Sequence, residues 1–274
     1  MSAGRPRAAR IARPSALTKA GVAVALTLVA GYVDAIGWLT LDRVFIAQVS
    51  GNIMLLAVHL VANESGHVSL QADAIVAFFL GLVMTGSVIE IGMRRRWRRI
   101  FIAALVVEIC LLVVFALTGG ALLPAGSQER ESADWPTYAL IAVAGFAMGA
   151  QNTSLRMAGI LSVWTTHMTG TLSGLSEELI VCVFALFQPR NQRKARGGFA
   201  AGSLQQKHPT AFKNIGQSAA LLAAFFGGAV AGAAALKGAG VAIAMIAPLA
   251  VLVAVGVLDW LVPLTDFPSS VEQE

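Results

Sequence analysis

Long apolar stretches separated by short polar segments make up most of this chain. Runs of about 18 or more apolar residues are long enough to cross a bilayer as helices. They differ from the ten-residue alternation of a membrane β-barrel. The runs lie at 17–39, 44–62, 72–93, 100–123, 137–155, 160–187, 215–236 and 240–262. This pattern predicts an all-α fold, a polytopic transmembrane helical bundle.

A short polar signature interrupts the apolar runs twice, once in each half of the chain. In the first half, 31–34 (Gly-Tyr-Val-Asp) is followed by 49–52 (Val-Ser-Gly-Asn). In the second half, 149–152 (Gly-Ala-Gln-Asn) is followed by 168–171 (Met-Thr-Gly-Thr). The matching order predicts an internal duplication.

A further match extends this duplication to the third run of each half. Residues 77–81 (Ala-Phe-Phe-Leu-Gly) resemble 224–228 (Ala-Phe-Phe-Gly-Gly). We therefore expect a first transmembrane repeat over 17–123 and a second over 137–262.

Polar segments flank and interrupt the two repeats. Residues 1–16 are expected to form a disordered basic cytoplasmic arm, and 263–274 a polar tail. The arm and the first run imitate a signal peptide, but no small-x-small site ends the run, so an uncleaved helix is the interpretation. A polar insertion at 188–214 predicts a cytoplasmic loop.

The basic residues predict how the helices are oriented, because cytoplasmic loops are enriched in Lys and Arg. If all eight runs crossed from a cytoplasmic N-terminus, the arginine-rich stretch 94–99 would lie outside. If 17–62 and 137–187 each make one net crossing, both basic loops share the cytoplasmic side. This second arrangement predicts inverted-topology repeats, which are common in transporters. Eight crossings with parallel repeats are the alternative.

Composition agrees with a membrane protein. Hydrophobic residues make up 57% of the chain and charged residues 13%, and the mean hydropathy is +0.73. Soluble domains carry about 25% charged residues. The net charge of +5 comes from Lys and Arg beside apolar runs, so we predict no nucleic-acid partner. Cys110 and Cys182 lie within apolar runs away from other ligands, and we predict neither a metal nor a cofactor.

Asp34 is the main candidate for function, because it lies well inside the first apolar run. A carboxylate in hydrocarbon is costly and is usually kept for binding a cation or moving a proton. Two structural explanations stand beside this one. Asp34 either lies at the outer interface or caps a helix break by accepting backbone N–H groups.

The polar and glycine positions of both signatures suit helix breaks that face a cavity. Close helix packing through small residues is the alternative for the glycines. The residues assigned to a substrate- or ion-binding site are Asp34, Gln48, Ser50, Gly51, Asn52, Gln151, Asn152, Thr169, Gly170 and Thr171.

A second group of titratable residues suggests a proton relay. Its members are His59, His167, Glu108, Glu177 and Glu178. The alternative for each histidine is an ordinary core or interfacial residue.

The first signature resembles that of the YoaK-type bacterial membrane proteins. Its G-x-x-D-A element stands at 31–35, Phe45 follows, and 50–52 reads Ser-Gly-Asn where Thr-Gly-Asn is usual. The stretches 149–152 and 165–171 look like the second element of that family. The resemblance implies a multi-pass protein of the bacterial inner membrane with a domain of unknown function.

These observations favour a secondary transporter or channel for a small solute or ion over an enzyme. An intramembrane enzyme would pair Asp34 with Glu177, Glu178 or His167, but a nucleophile–base pattern is missing. A structural or assembly protein without transport is the other alternative. The expected partners are the lipid bilayer and an unidentified solute or ion, and a homo-oligomer remains open.

Overall fold

A computed structural model describes residues 14–95, 97, 99–123, 134–157, 168–187 and 208–264. Within these ranges the chain is all-α, as predicted, with eight helices and no strand. The helices are α1 Ala16–Thr40, α2 Val49–Val61, α3 Ser65–Arg94, α4 Ile100–Leu122, α5 Trp135–Met157, α6 Met168–Phe187, α7 His208–Ala244 and α8 Ile246–Leu261.

Four of the described helices are long and apolar enough to cross a membrane. These are α1, α3, α4 and the part of α7 over Asn214–Ala244. Large apolar side chains also cover the outside of the bundle: Phe79 is 60% exposed and Phe226 is 72% exposed. Soluble proteins rarely expose such surfaces, so these helices contact lipid. The protein is therefore embedded in a membrane.

A loop over 41–48 replaces the first part of the helical run predicted at 44–62. Val44 and Ile46 are buried inside the fold. Their apolar character therefore reflects contacts within the protein, and a hydropathy pattern cannot distinguish these from lipid contacts. We call residues 41–48 the α1–α2 loop.

Several predictions fall on residues outside the described ranges. Residues 158–167, where the run predicted from 160 begins, are among them. So are 1–13, 188–207 and 265–274, which include most of the predicted arm, cytoplasmic loop and tail. The described part of α7 begins at His208, within the stretch predicted as a loop over 188–214.

The helix pairs that contact each other follow a similar pattern in the two halves of the chain. α1 packs along α7, and α3 packs along α5. α2 lies on α3, and α6 lies on α7. α4 contacts α5, α8 contacts α1, and α4 and α8 contact each other.

Glycines bring α1 and α7, and α3 and α5, into close backbone contact. A Cβ atom at Gly31 would overlap the carbonyl oxygen of Phe225. A Cβ atom at Gly149 would overlap the carbonyl oxygen of Phe78. Small residues allow membrane helices to approach this closely.

In each pair, a glycine of the other helix makes the reciprocal contact. A Cβ atom at Gly228 on α7 would overlap the carbonyl oxygen of Leu28 on α1. One at Gly81 on α3 would overlap the carbonyl oxygen of Phe146 on α5. Each helix pair therefore exchanges two glycine–carbonyl contacts.

α3 and α5 run in the same direction. Ser69 bonds to the hydroxyl of Tyr138 near the start of both helices. Further along both, the hydroxyl of Thr153 donates to the carbonyl of Leu82 at 3.2 Å.

α1 and α7 also run in the same direction. Gly31 meets Phe225. Leu28 meets Gly228, and one turn later on each helix Tyr32 meets Gly232.

Contacts at the two ends of α4 show on which side of the bundle α1, α3 and α7 begin or end. α3 ends at Arg94 and α4 begins at Ile100, which packs back against Gly92 of α3. α4 therefore runs back toward the side of the bundle where α3 starts. Near the end of α4, Gly119 packs against Val241, close to the end of α7. α7 therefore ends on the side of the bundle where α3 starts. α1 runs in the same direction as α7, so it ends on that side too. α2 therefore connects the end of α1 to the start of α3 on the same side of the bundle.

Candidate functional site

Asp34 holds the α1–α2 loop against α1. The backbone N–H groups of Ile46 and Ala47 donate to its Oδ1 atom at 2.7 and 2.8 Å. Asp34 is only 3% exposed. A side chain at Gly37 would collide with Ile46, so this glycine allows the loop to approach. The carboxylate thus satisfies two buried backbone donors of the loop that precedes α2.

Asn52 fixes the position of Phe45 in the same loop. Its side-chain amide accepts the N–H of Phe45 at 3.0 Å and donates to the carbonyl of Phe45 at 2.6 Å. Gly51 leaves room for the Phe45 ring. That ring stacks on Trp38 with a centroid distance of 4.4 Å. Gly51 and Asn52 therefore support the aromatic pair, whereas Ser50 is exposed.

A cavity of about 370 Å³ lies between α1, the α1–α2 loop and α7. Its volume is near the lower end of the range for small-molecule sites, about 300–1,000 Å³. The lining residues are Gly31, Asp34, Ala35, Trp38, Leu39, Phe45, Gln48, Phe225, Ala229 and Ala233.

Asp34 and Gln48 supply the polar side chains of this cavity. Gln48 lies against the Asp34 carboxylate through both its backbone and its side chain. The rest of the lining is aliphatic, aromatic or glycine. The set offers one negative charge and one amide, and it includes no nucleophile–base pair. Such a lining can hold a small ligand.

The second signature lies elsewhere, against α4. The side-chain amide of Gln151 donates to Glu108 Oε1 at 2.9 Å. Both residues are 1% exposed, and Glu108 Oε2 has no hydrogen-bond partner within the described part of the chain. Gln151 therefore satisfies only part of a fully buried carboxyl group.

Other residues of the second signature also lie outside the cavity lining. Asn152 and Thr171 are buried, while Thr169 and Gly170 are exposed at the start of α6. The cavity thus joins the first signature to α7 rather than to the second signature. A joint site of both signatures stays a prediction.

The residues suggested for a proton relay are spread over several elements. Glu108 lies in the core, and His59 lies near the end of α2. On α6, Glu177 is exposed and Glu178 is half-buried. His167 lies outside the described residues. The relay stays a prediction.

His59 belongs to a cluster at the turn between α2 and α3. Its Nδ1 atom lies 2.6 Å from Glu64 Oε2, and its ring stacks on His67 at 4.9 Å. One ligand atom from each of the three residues lies within 4.8 Å of the others. Zinc ligands in a tetrahedral site are closer, about 3.4 Å apart. Glu64 and His67 are also exposed, so the ion pair and the ring contact account for this cluster.

Sequence reasoning missed the cavity wall on α7 and the aromatic pair. Trp38 and Phe45 are separated by the helix break, and Phe225 comes from the other half of the chain. The sequence signal for Phe225 was the match of 77–81 with 224–228, which aligns Phe225 with Phe78 as equivalent positions of the two halves.

Comparison with known proteins identifies relatives of this chain. A family model described as "Protein of unknown function (DUF1275)" matches residues 22–258. The UPF0700 transmembrane protein YoaK of Bacillus subtilis (strain 168) is 30% identical over 154 residues, which cover 56% of this chain. The match spans 64% of the length of that relative. No solved structure matches the chain.

Proposed function

The chain belongs to the DUF1275 family of membrane proteins, and from this premise we propose that it is a secondary transporter or channel for a small solute or ion. The cavity between α1, the α1–α2 loop and α7 is its binding site. The observation that carries the proposal is the buried carboxylate of Asp34 in the wall of this cavity. Broken membrane helices with polar groups facing a cavity are a recurring transporter device.

Two inverted repeats form the proposed framework. The glycine–carbonyl contacts support it, because they relate α1 and α7 as they relate α5 and α3. The matched residues of α1 and α5 are 118 positions apart, and those of α3 and α7 are 147 positions apart. α5 runs with α3 and α7 runs with α1, whereas α1 and α3 run in opposite directions. α5 and α7 therefore oppose their counterparts α1 and α3.

The proposed orientation places the N-terminus in the cytoplasm of a bacterial cell, with the membrane being the inner one. The helix directions support one net crossing over α1 and α2. The turn at 95–99 and the basic segment at 188–207 then share the cytoplasmic side. This distribution agrees with the enrichment of basic residues in cytoplasmic loops. We assign no enzymatic activity to the protein.

A structural or assembly role is the second candidate, and the hydrogen bonds of Asp34 favour it. Its Oδ1 atom receives both loop N–H groups, so the first signature has a structural task whether or not a solute binds. In that case the cavity is a packing feature, and no solute moves through the protein.

Solute flux into proteoliposomes separates the two candidates. Purified protein is reconstituted, and charge movement or radiolabel uptake is followed for a panel of cations, anions and neutral solutes. We expect flux of at least one solute and its loss in Asp34→Asn. Glu90→Gln is the control, because Glu90 pairs with Arg94 at the end of α3, away from the cavity lining. The transport proposal fails if no solute moves, or if Asp34→Asn transports as fast as the parent.

A further inference from the structure

Building on the proposed function, we infer that the cavity takes a small monovalent organic cation, a protonated amine or a quaternary ammonium group. The charge, the aromatic wall and the shortage of oxygen ligands each point to this class.

Charge is the first argument. Asp34 is the single ionisable group among the residues that line the cavity. One carboxylate in a low-dielectric site attracts one positive charge and repels anions. Two N–H donors occupy its Oδ1 atom, but the group still carries a full negative charge when ionised. A bound monovalent cation would leave the site neutral.

The aromatic residues supply the second argument. Trp38 and Phe45 stack with an angle of 27° between their planes, and Phe225 lines the cavity from α7. Aromatic faces attract cations, and quaternary ammonium groups are commonly bound in this way. Asn52 and Gly51 hold Phe45 in place, so the aromatic wall is present before a ligand enters.

The shortage of oxygen ligands argues against strongly hydrated metal ions. Calcium takes about six to eight oxygen ligands, and magnesium keeps several waters in octahedral geometry. Only Asp34 and Gln48 offer side-chain oxygens here. Ala35, Ala229 and Ala233 form much of the remaining wall, and small apolar side chains suit the carbon atoms of an organic ion.

Binding is tested on the purified full chain by thermal shift and tryptophan fluorescence. The probes are tetramethylammonium, choline and 3,3-dimethylbutan-1-ol, which is the uncharged carbon isostere of choline. Sodium and magnesium chloride serve as ionic controls. We expect both organic cations to bind and the neutral isostere to bind at least about tenfold more weakly.

Two variants test the individual groups. Asp34→Asn keeps an oxygen that can accept the loop N–H groups but removes the charge, and it should weaken cation binding about tenfold or more. Trp38→Leu keeps Asp34 and should weaken binding several-fold. Glu90→Gln removes an exposed carboxylate on α3 and should bind like the parent.

The inference is overturned if neither cation binds, if the isostere binds equally well, or if both variants bind like the parent. Flux measured on the same samples separates this result from the transport proposal. Cation binding without flux keeps the inference and contradicts transport. Flux of anions or neutral solutes without cation binding keeps the transport proposal and overturns the cation inference.

Discussion

The carboxylate of Asp34 accepts the backbone N–H of Ile46 at 2.7 Å, twelve residues further along the chain. This bond closes the α1–α2 loop onto α1 and leaves the same carboxylate in the wall of the cavity. Asp34 therefore has a structural task and, in our proposal, a ligand-binding one. The two can be separated, because the hydrogen bonds need an oxygen acceptor and the ligand needs a charge.

Asp34→Ala should destabilise the protein much more than Asp34→Asn. Alanine leaves the N–H groups of Ile46 and Ala47 buried without an acceptor, at a cost of about 1–3 kcal/mol for each unpaired donor. Thermal unfolding in detergent measures the difference. Equal melting temperatures for the two variants would contradict the hydrogen bonds described here.

Alanine at either of two contact glycines, Gly31 or Gly149, should destabilise the protein by a similar amount. Gly31→Ala and Gly149→Ala each push a Cβ into a backbone carbonyl, and overpacking of this kind costs about 1–3 kcal/mol. Gly21→Ala on α1 is the matched control, since nothing lies within 4 Å of its Cβ position. Melting temperatures should fall for the first two variants only. A large effect at Gly31 with none at Gly149 would argue against equivalent halves.

The Glu108–Gln151 pair should show strong coupling in a double-mutant cycle. Gln151→Leu removes the partner of a buried carboxyl group, and Glu108→Leu leaves a buried amide unpaired. The double variant leaves neither polar group behind, so its loss of stability should be smaller than the sum of the two single losses. Additive losses would mean that the 2.9 Å hydrogen bond contributes nothing.

The sequence was sufficient to predict the helical membrane fold and the family, and it singled out Asp34 as a candidate residue. Apolar runs and a lone carboxylate are local features of the sequence, so they can be recognised without knowing which helices pack together. The contact of Gly31 with Phe225 depends on helix pairing across most of the chain, and a single sequence carries little trace of it.

Local patterns also misled at the α1–α2 loop. Val44 and Ile46 look like part of a spanning helix, but they are buried beside α1. For Asp34 the sequence leaves three roles open: a binding residue, a residue at the outer interface, and a cap for a helix break. Its hydrogen bonds to the loop N–H groups agree with the cap, and its place in the cavity wall supports the binding proposal.

Cysteine labelling tests the topology on which this account rests, one net crossing over α1 and α2 with the N-terminus in the cytoplasm. In a variant lacking Cys110 and Cys182, single cysteines are placed at Gly66, in the first turn of α3, and at Trp97, in the turn before α4. Intact cells are treated with an impermeant maleimide, and permeabilised cells show that both cysteines can react. We predict labelling at 66 and protection at 97 in intact cells. Labelling at 97 with protection at 66 would contradict the proposed orientation, and labelling at both positions would contradict a crossing by α3.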